Sequence, residues 1–132
     1  MMYTAQEVFD FVREEDVKFI RLAFCDTHGR QKNISILPSE LRRAFEDGIS
    51  FDASAICGFG SAEKSDLLLF PDPSTLNVLP WRPSHGKVVR MFCDIRHPDG
   101  TPFARDTRAI LRRAVADAKA AGVTVQFGAE IE

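Results

Sequence analysis

The chain has 132 residues, of which 17 are basic and 19 are acidic, and its formal net charge is -2. Without a basic excess there is no electrostatic footprint for nucleic acid. No run approaches the roughly 18 consecutive apolar residues of a membrane-spanning helix. With 45% hydrophobic residues, the composition is that of a folded domain that can bury its own core.

The cysteines give a first indication of the compartment. Cys25, Cys57 and Cys93 are far apart in the sequence and include no CxxC pair. An odd number of cysteines without paired spacing argues against a disulfide framework and against a zinc site. The sequence therefore predicts reduced thiols and a cytoplasmic protein.

The N-terminal third predicts a helix followed by a β-hairpin. Thr4 and Glu7 have the spacing of a capping box at the start of a helix. The β-branched and aromatic runs at 17–25 and 31–37 predict two strands. The turn DTHG at 26–29 joins them, because Asp opens such turns and Gly closes them.

A second helix and an irregular stretch follow the hairpin. Leu41, Ala44 and Phe45 form the apolar stripe of the helix, and Gly48 is suited to end it. The next stretch, SFDASAICGFG at 50–60, contains small and apolar residues around a single carboxylate. We expect this stretch to be a loop.

The second half predicts short strands, a loop, and then a change of character. The predicted strands are residues 67–70, 76–80 and 87–95, and the Pro- and Gly-rich loop that follows them is the best candidate for a domain boundary. Residues 106–122 predict a helix capped by Asp106. Alternating apolar residues at 123–132 predict a final strand.

This order of elements predicts an α+β fold. We expect an N-terminal helix over residues 1–14 and a ubiquitin-like β-grasp sheet with a crossover helix over residues 15–100. The helix and strand at 101–132 are expected to be the beginning of a second, truncated α+β domain.

Two carboxylates fall on one face of the predicted final strand. Glu130 and Glu132 would lie about 7 Å apart, opposite the apolar face. Oxygen ligands at this spacing suit Mg²⁺ or Mn²⁺, although glutamates also decorate exposed strand edges for solubility. Because two carboxylates cannot complete a six-coordinate site, the remaining ligands must come from elsewhere.

Asp52 is the lone acid of the stretch at 50–60. Taken by itself, it is an ordinary turn acid that makes an Asx-type hydrogen bond.

Several motifs, in their order and spacing over roughly 110 residues, resemble the N-terminal part of a bacterial-type glutamine synthetase. FDASAICGF is similar to the family's F-D-G-S-S-I-x-G-F, and FGAEIE at 127–132 is similar to its G-P-E-x-E-F. Other matching segments are Ser65-Asp66 with Pro71-Asp72, PW at 80–81, GKVVRMFCDI at 86–95 and PDGTPFARDTR at 98–108.

The resemblance implies an ATP-dependent ligase that condenses glutamate with ammonia through a γ-glutamyl phosphate. It implies ATP and two Mg²⁺ or Mn²⁺ ions as cofactors. It also implies a homo-oligomeric ring, commonly stacked as a dodecamer, in which the N-terminal domain of one subunit completes its neighbour's active site. The family's nucleotide site, its glutamate-binding arginine and its remaining metal ligands follow this segment. We therefore expect these 132 residues alone to be inactive and to bind no cofactor.

The resemblance also assigns roles by position. Glu130 and Glu132 match metal-ligating glutamates. Asp52 matches the aspartate that reaches across the subunit interface to bind ammonium and assist its deprotonation. Ser54 matches a retained serine that is expected to position the loop.

Two positions depart from the family pattern, because Ala53 and Ala55 replace a glycine and a serine. Since alanine does not readily adopt positive φ, we expect the loop to hold Asp52 differently. The replacements leave open a γ-glutamyl ligase for a larger amine, such as a polyamine. A stand-alone β-grasp interaction module is a third possibility, against which the additional helix at 106–122 argues.

A domain that leans on a neighbouring subunit should carry an exposed apolar patch. We expect that patch at residues 67–70 and at Ile56 and Phe59.

Overall fold

The computed structural model describes residues 3–60, 66–81 and 86–131, and within these ranges the chain forms three α-helices and six β-strands. The helices are α1 (Ala5–Glu14), α2 (Leu41–Glu46) and α3 (Thr107–Ala120). The strands are β1 (Val17–Cys25), β2 (Gln31–Ile36), β3 (Ile49–Asp52), β4 (Asp66–Pro71), β5 (Asn77–Val78) and β6 (Lys87–Arg96). None of the described helices is long and apolar enough to cross a membrane.

The predicted N-terminal helix and hairpin are confirmed. Thr4 caps α1, and a reciprocal capping box forms as the Thr4 amide donates to Glu7 Oε2 at 2.7 Å and the Glu7 amide donates to Thr4 Oγ1 at 3.3 Å. Strands β1 and β2 pair antiparallel, with Ile20 opposite Ile36. Both signals are local in sequence, which is why the residues alone identify them.

The sheet has the order β2-β1-β6-β4-β3, and the short strand β5 pairs with β6. β1 and β6 lie parallel, with Ile20 opposite Val89, whereas the other pairs are antiparallel. Parallel neighbours need a long crossover connection, and here that connection contains α2. The predicted α+β sheet with a crossover helix is therefore confirmed.

The hydrophobic core combines residues from one face of the sheet with residues from α1 and α2. Ile20 and Leu22 of β1 and Met91 of β6 are completely buried, as are Val8 of α1 and Ala44 of α2. The alternating pattern of β6 follows this division, because Val89, Met91, Cys93 and Ile95 all belong to the core cluster.

Strand β3 was not predicted. Residues 49–52 pair antiparallel with β4, from Ile49 opposite Leu69 to Asp52 opposite Asp66. The predicted apolar patch at residues 67–70, Ile56 and Phe59 is also wrong, because Leu67, Leu69 and Phe59 belong to the buried core and Ile56 packs against it, partly buried. Leu67 and Phe59 are only 1% and 3% exposed.

The predicted final strand is also wrong over its described part. Residues 123–131 form no strand and are exposed, and Phe127 is 86% exposed. Alternation shows which side chains would share a face, but a strand also needs a partner for its backbone hydrogen bonds. No described strand supplies that partner, and Glu132 lies outside the described residues.

Helix α3 forms as predicted, and polar contacts attach its first turn to the sheet. Asp106 Oδ1 accepts from the Arg108 amide at 3.0 Å and so caps the helix, while Oδ2 accepts from the Ile95 amide of β6 at 3.0 Å. The Arg108 guanidinium forms ion pairs with Asp72 and Asp94. By contrast, none of the residues of α3 is buried.

We predict that Asp106→Ala destabilises the protein by about 2 kcal/mol, because it removes a helix cap and leaves a buried amide of β6 without an acceptor. Urea unfolding measures the effect. Asp117→Ala, which removes an exposed carboxylate from the same helix, is the control and should change the free energy of unfolding little. Equal effects of the two substitutions would contradict the anchoring role of Asp106.

Candidate functional site

Asp52 ends β3 and caps a short 3₁₀ turn, Ala53–Ala55. Its Oδ1 accepts hydrogen bonds from the Ser54 amide at 2.9 Å and from Ser54 Oγ at 2.6 Å. Both residues are exposed. The local geometry is therefore an Asx-type turn in which Ser54 fixes the orientation of a carboxylate at the surface.

The backbone conflict expected at Ala53 is absent. Among the described residues other than glycine, only Asp16 has a positive φ, so the turn does not require glycine at position 53. Ala53 is fully buried and belongs to the core cluster, whereas Ala55 is exposed. The alanine at position 53 thus serves to fasten the turn to the core.

A second carboxylate, to which the sequence pattern gives no role, lies beside Asp52. Asp66 is the residue of β4 directly opposite Asp52, and both are exposed. Residues opposite each other on antiparallel strands have Cα atoms about 4.5–5.5 Å apart and point to the same face. The pair follows from the sequence only if residues 49–52 are recognised as a strand. Ser65, which precedes Asp66 in the quoted Ser65-Asp66 motif, lies outside the described residues.

The loop after the turn is anchored by aromatic packing. The Phe59 ring lies 6.0 Å from the Phe24 ring, 6.4 Å from the Phe51 ring and 5.1 Å from the Phe103 ring. These three residues come from β1, β3 and the segment before α3. Among residues 56–60, Phe59 is therefore the buried side chain that anchors the loop in the core.

The hairpin turn between β1 and β2 borders this loop and is organised by a buried carboxylate. Asp26 Oδ1 accepts from the amides of Arg30 and His28, both at 2.9 Å, and the residue is 1% exposed. The Arg30 amide and then the His28 amide lower the pKa of Asp26 below its ordinary value, with a further contribution from Lys32, and together they outweigh the effect of burial.

The predicted metal ligands do not form a site within the described residues. Glu130 is exposed on the irregular segment 123–131, and Glu132 is not described. In the part of the chain that the structure describes, no three His, Cys, Asp or Glu side chains are grouped to hold a metal ion. One carboxylate does not satisfy an ion that needs about six oxygen ligands, so the described residues do not form a complete metal site.

The cysteines are free, as predicted. Cys93 is buried, and burial raises the pKa of its thiol, so it behaves as a core residue. Cys57 is exposed in the loop after Asp52, with its Sγ 3.7 Å from His28 Nδ1.

The parallel β1–β6 pair, the crossover helix and the β3–β4 edge define a β-grasp type of α+β domain. Comparison with known proteins then identifies the family. Residues 16–98 match the family model for the β-grasp domain of glutamine synthetase. The chain belongs to the glutamine synthetase family, through this N-terminal β-grasp domain.

Curated relatives agree with this assignment. The chain is 45% identical over 130 residues to a glutamine synthetase of Clostridium saccharobutylicum, covering 98% of this chain and 29% of that protein. It is 48% identical over 123 residues to one of Mycolicibacterium smegmatis, covering 92% of this chain and 28% of that protein. The chain therefore spans less than a third of the length of these relatives.

Solved structures show the same fold. A cryo-EM structure of Plasmodium falciparum glutamine synthetase superposes with a TM-score of 0.80 at 23% identity, covering 91% of this chain and 23% of that one. A structure of GmaS in complex with ADP gives a TM-score of 0.77 at 27% identity, covering 92% of this chain and 26% of that one.

We predict that Asp26 makes stability depend on acid pH. Its folded-state pKa lies below the ordinary value of 3.8, so its stabilising contribution is present above that pH and is lost as the pH falls through the lower folded-state value. Thermal unfolding between about pH 6 and pH 2 should show this loss, and Asp26→Asn should make the dependence shallower. Asp47→Asn, at an exposed carboxylate outside the turn, should leave the pH dependence as in the wild type.

Proposed function

We propose that the chain is the N-terminal part of a glutamine synthetase subunit, and that the longer subunit condenses glutamate with ammonia at the expense of ATP. The observation that carries the proposal is an exposed carboxylate, Asp52, oriented by Ser54 at the edge of a glutamine synthetase β-grasp domain. A solved relative that holds ADP supports the use of a nucleotide.

In the proposed reaction, the γ-carboxylate of glutamate takes the terminal phosphoryl group of ATP and becomes an acyl phosphate. Ammonium loses a proton and the resulting ammonia attacks the acyl carbon, so that a C–N bond forms and inorganic phosphate leaves. Asp52 would bind the ammonium ion and assist its deprotonation. Because Coulomb attraction grows as water is excluded, the carboxylate acts most strongly when another protein surface covers it.

The β3–β4 pairing adds a second negative charge to this proposed cation site. Asp66 stands opposite Asp52 on the neighbouring strand. Two carboxylates on one face attract a compact cation more strongly than one does. We therefore assign Asp66 a supporting role in ammonium binding, and Ser54 the role of orienting Asp52.

The exposure of Asp52 supports the proposal that a neighbouring subunit covers it. A homo-oligomeric ring, such as the dodecamer implied by the family, would bring the β3–β4 edge of one subunit to the catalytic region of the next. Glu130 and Glu132 are proposed Mg²⁺ or Mn²⁺ ligands that need further ligands from outside these residues. The nucleotide and glutamate sites would also lie there, so the 132-residue chain alone is proposed to be inactive, and the whole enzyme to be cytoplasmic.

We predict that Asp52→Asn lowers ammonia-dependent phosphate release by the longer protein about 100-fold or more, because the cation site and proton acceptor are lost. Ser54→Ala should cost about tenfold, the equivalent of one well-placed hydrogen bond. Asp66→Asn should raise the KM for ammonium more than it lowers kcat. The assay contains ATP, Mg²⁺, glutamate and ammonium, with Asp47→Asn as a matched control that should retain wild-type activity.

A panel of primary amines in the same assay tests the acceptor. Turnover with ammonia that collapses in Asp52→Asn supports the proposal. Turnover only with a bulkier amine would instead favour a γ-glutamyl ligase for a larger amine and would remove the ammonium role of Asp52. Phosphate release from the 132-residue chain alone would overturn the proposed division of the active site.

A further inference from the structure

The polypeptide that follows Asp52 forms two consecutive hydrogen-bonded turns. The Ile56 amide donates to the Ala53 carbonyl at 3.1 Å, and the Phe59 amide donates to the Ile56 carbonyl at 3.1 Å. These hydrogen bonds connect residues 57–59 to the turn that Asp52 caps, so a displacement of residues 57–59 is transmitted to that turn. Two other segments of the chain hold residues 56–60, and we call these five residues the loop junction.

The hairpin turn of residues 26–30 holds one side of the loop junction. Thr27 Oγ1 donates to the Cys57 carbonyl at 3.2 Å. Gly58 has a φ of +82°, and a Cβ atom there would lie 2.1 Å from Thr27 Oγ1. A side chain at position 58 would collide with the Thr27 side chain, so the loop lies directly against a turn that Asp26 makes rigid.

Arg105 makes the second contact that holds the loop junction. Its Nη1 donates to the Gly58 carbonyl at 2.8 Å. Arg105 immediately precedes Asp106, the residue that caps α3 and accepts from the Ile95 amide. The guanidinium therefore connects the loop to the segment that leads into α3.

We propose that Arg105 and Thr27 are positioning residues for Asp52. Arg105 also couples the loop after Asp52, which the proposed function places against a neighbouring subunit, to the segment that leads into α3 of the same chain. The adjacent carbonyls of Cys57 and Gly58 each accept a hydrogen bond from a different segment of the chain. A shift of the start of α3 moves Arg105 and, through Gly58, the turn that carries Asp52. The catalytic consequence rests on the proposed function, whereas the mechanical coupling does not.

Amide hydrogen exchange in the 132-residue chain tests the coupling directly. Arg105→Gln should make exchange in residues 53–59 about five to ten times faster, since a charged donor to a backbone carbonyl is lost. Arg105→Lys keeps a donor and should restore part of the protection. Arg113→Gln removes the same charge from an exposed position of α3 and should leave exchange in residues 53–59 unchanged.

Thr27→Ala is the second variant, because it lies away from α3. It should speed exchange in residues 53–59 while α3 stays as protected as in the wild type. If both Arg105→Gln and Thr27→Ala leave exchange in residues 53–59 at the wild-type rate, the positioning role is wrong, whatever the protein catalyses.

Steady-state kinetics of the longer protein test the catalytic consequence. Arg105→Gln should raise the KM for ammonium at least about threefold and leave the KM for glutamate unchanged, since only the ammonium site contains Asp52. Faster exchange with unchanged ammonium kinetics would overturn the role in positioning Asp52 for the reaction. A wild-type protein without glutamine-forming activity would instead overturn the proposed function and leave the exchange result standing.

Discussion

The parallel pairing of β1 and β6 is the constraint on which the rest of the fold depends. Two parallel neighbours cannot be joined by a tight turn, so the chain must leave β1, build the hairpin, α2 and the β3–β4 pair, and then return to the middle of the sheet. The return of β6 between β1 and β4 places β3 at the outer edge. Among the described strands β3 has a neighbour on one side only, and Asp52, the residue that ends it, is exposed.

One local hydrogen-bonding pattern serves several purposes in this chain. Within the part of the chain that the structure describes, five aspartates accept a hydrogen bond from the amide two residues later: Asp26, Asp52, Asp72, Asp99 and Asp106. These aspartates differ in how far the surrounding structure buries them. Asp26 and Asp106 are 1% and 2% exposed and organise a turn and a helix start, whereas Asp52 lies at the surface of the sheet edge. Burial with backbone partners gives a carboxylate a structural role, whereas the exposure of Asp52 is what its proposed role in cation binding requires.

The elements that the sequence predicted well are those with local signals. The Thr4–Glu7 box, the strand patterns of β1 and β6, and the Asp106 cap all formed because the residues that determine them are neighbours in the chain. β3 was missed because its four residues, Ile49–Asp52, alternate between apolar and polar side chains but are too few to distinguish a strand from a loop. Asp52 itself could not be distinguished from the other turn aspartates by local pattern, and only the resemblance to a family selected it. Asp66 escaped attention because its position beside Asp52 depends on the register of β3 with β4.

The segment after residue 106 shows more clearly what a regular apolar pattern in the sequence cannot predict. Helix α3 and residues 123–131 carry regular apolar positions, yet Leu111 and Phe127 are exposed, and the described residues give them no covering surface. Amphipathic periodicity predicts which side chains a segment buries against a partner, but it does not show that the partner is present. The β-grasp part, by contrast, closes its own core around β1 and β6. Residues 105 and 106 lie between the closed core and the exposed helix. The polar contacts of Asp106 and Arg108 with the sheet, rather than burial of helix side chains, therefore hold α3 against the domain that carries Asp52.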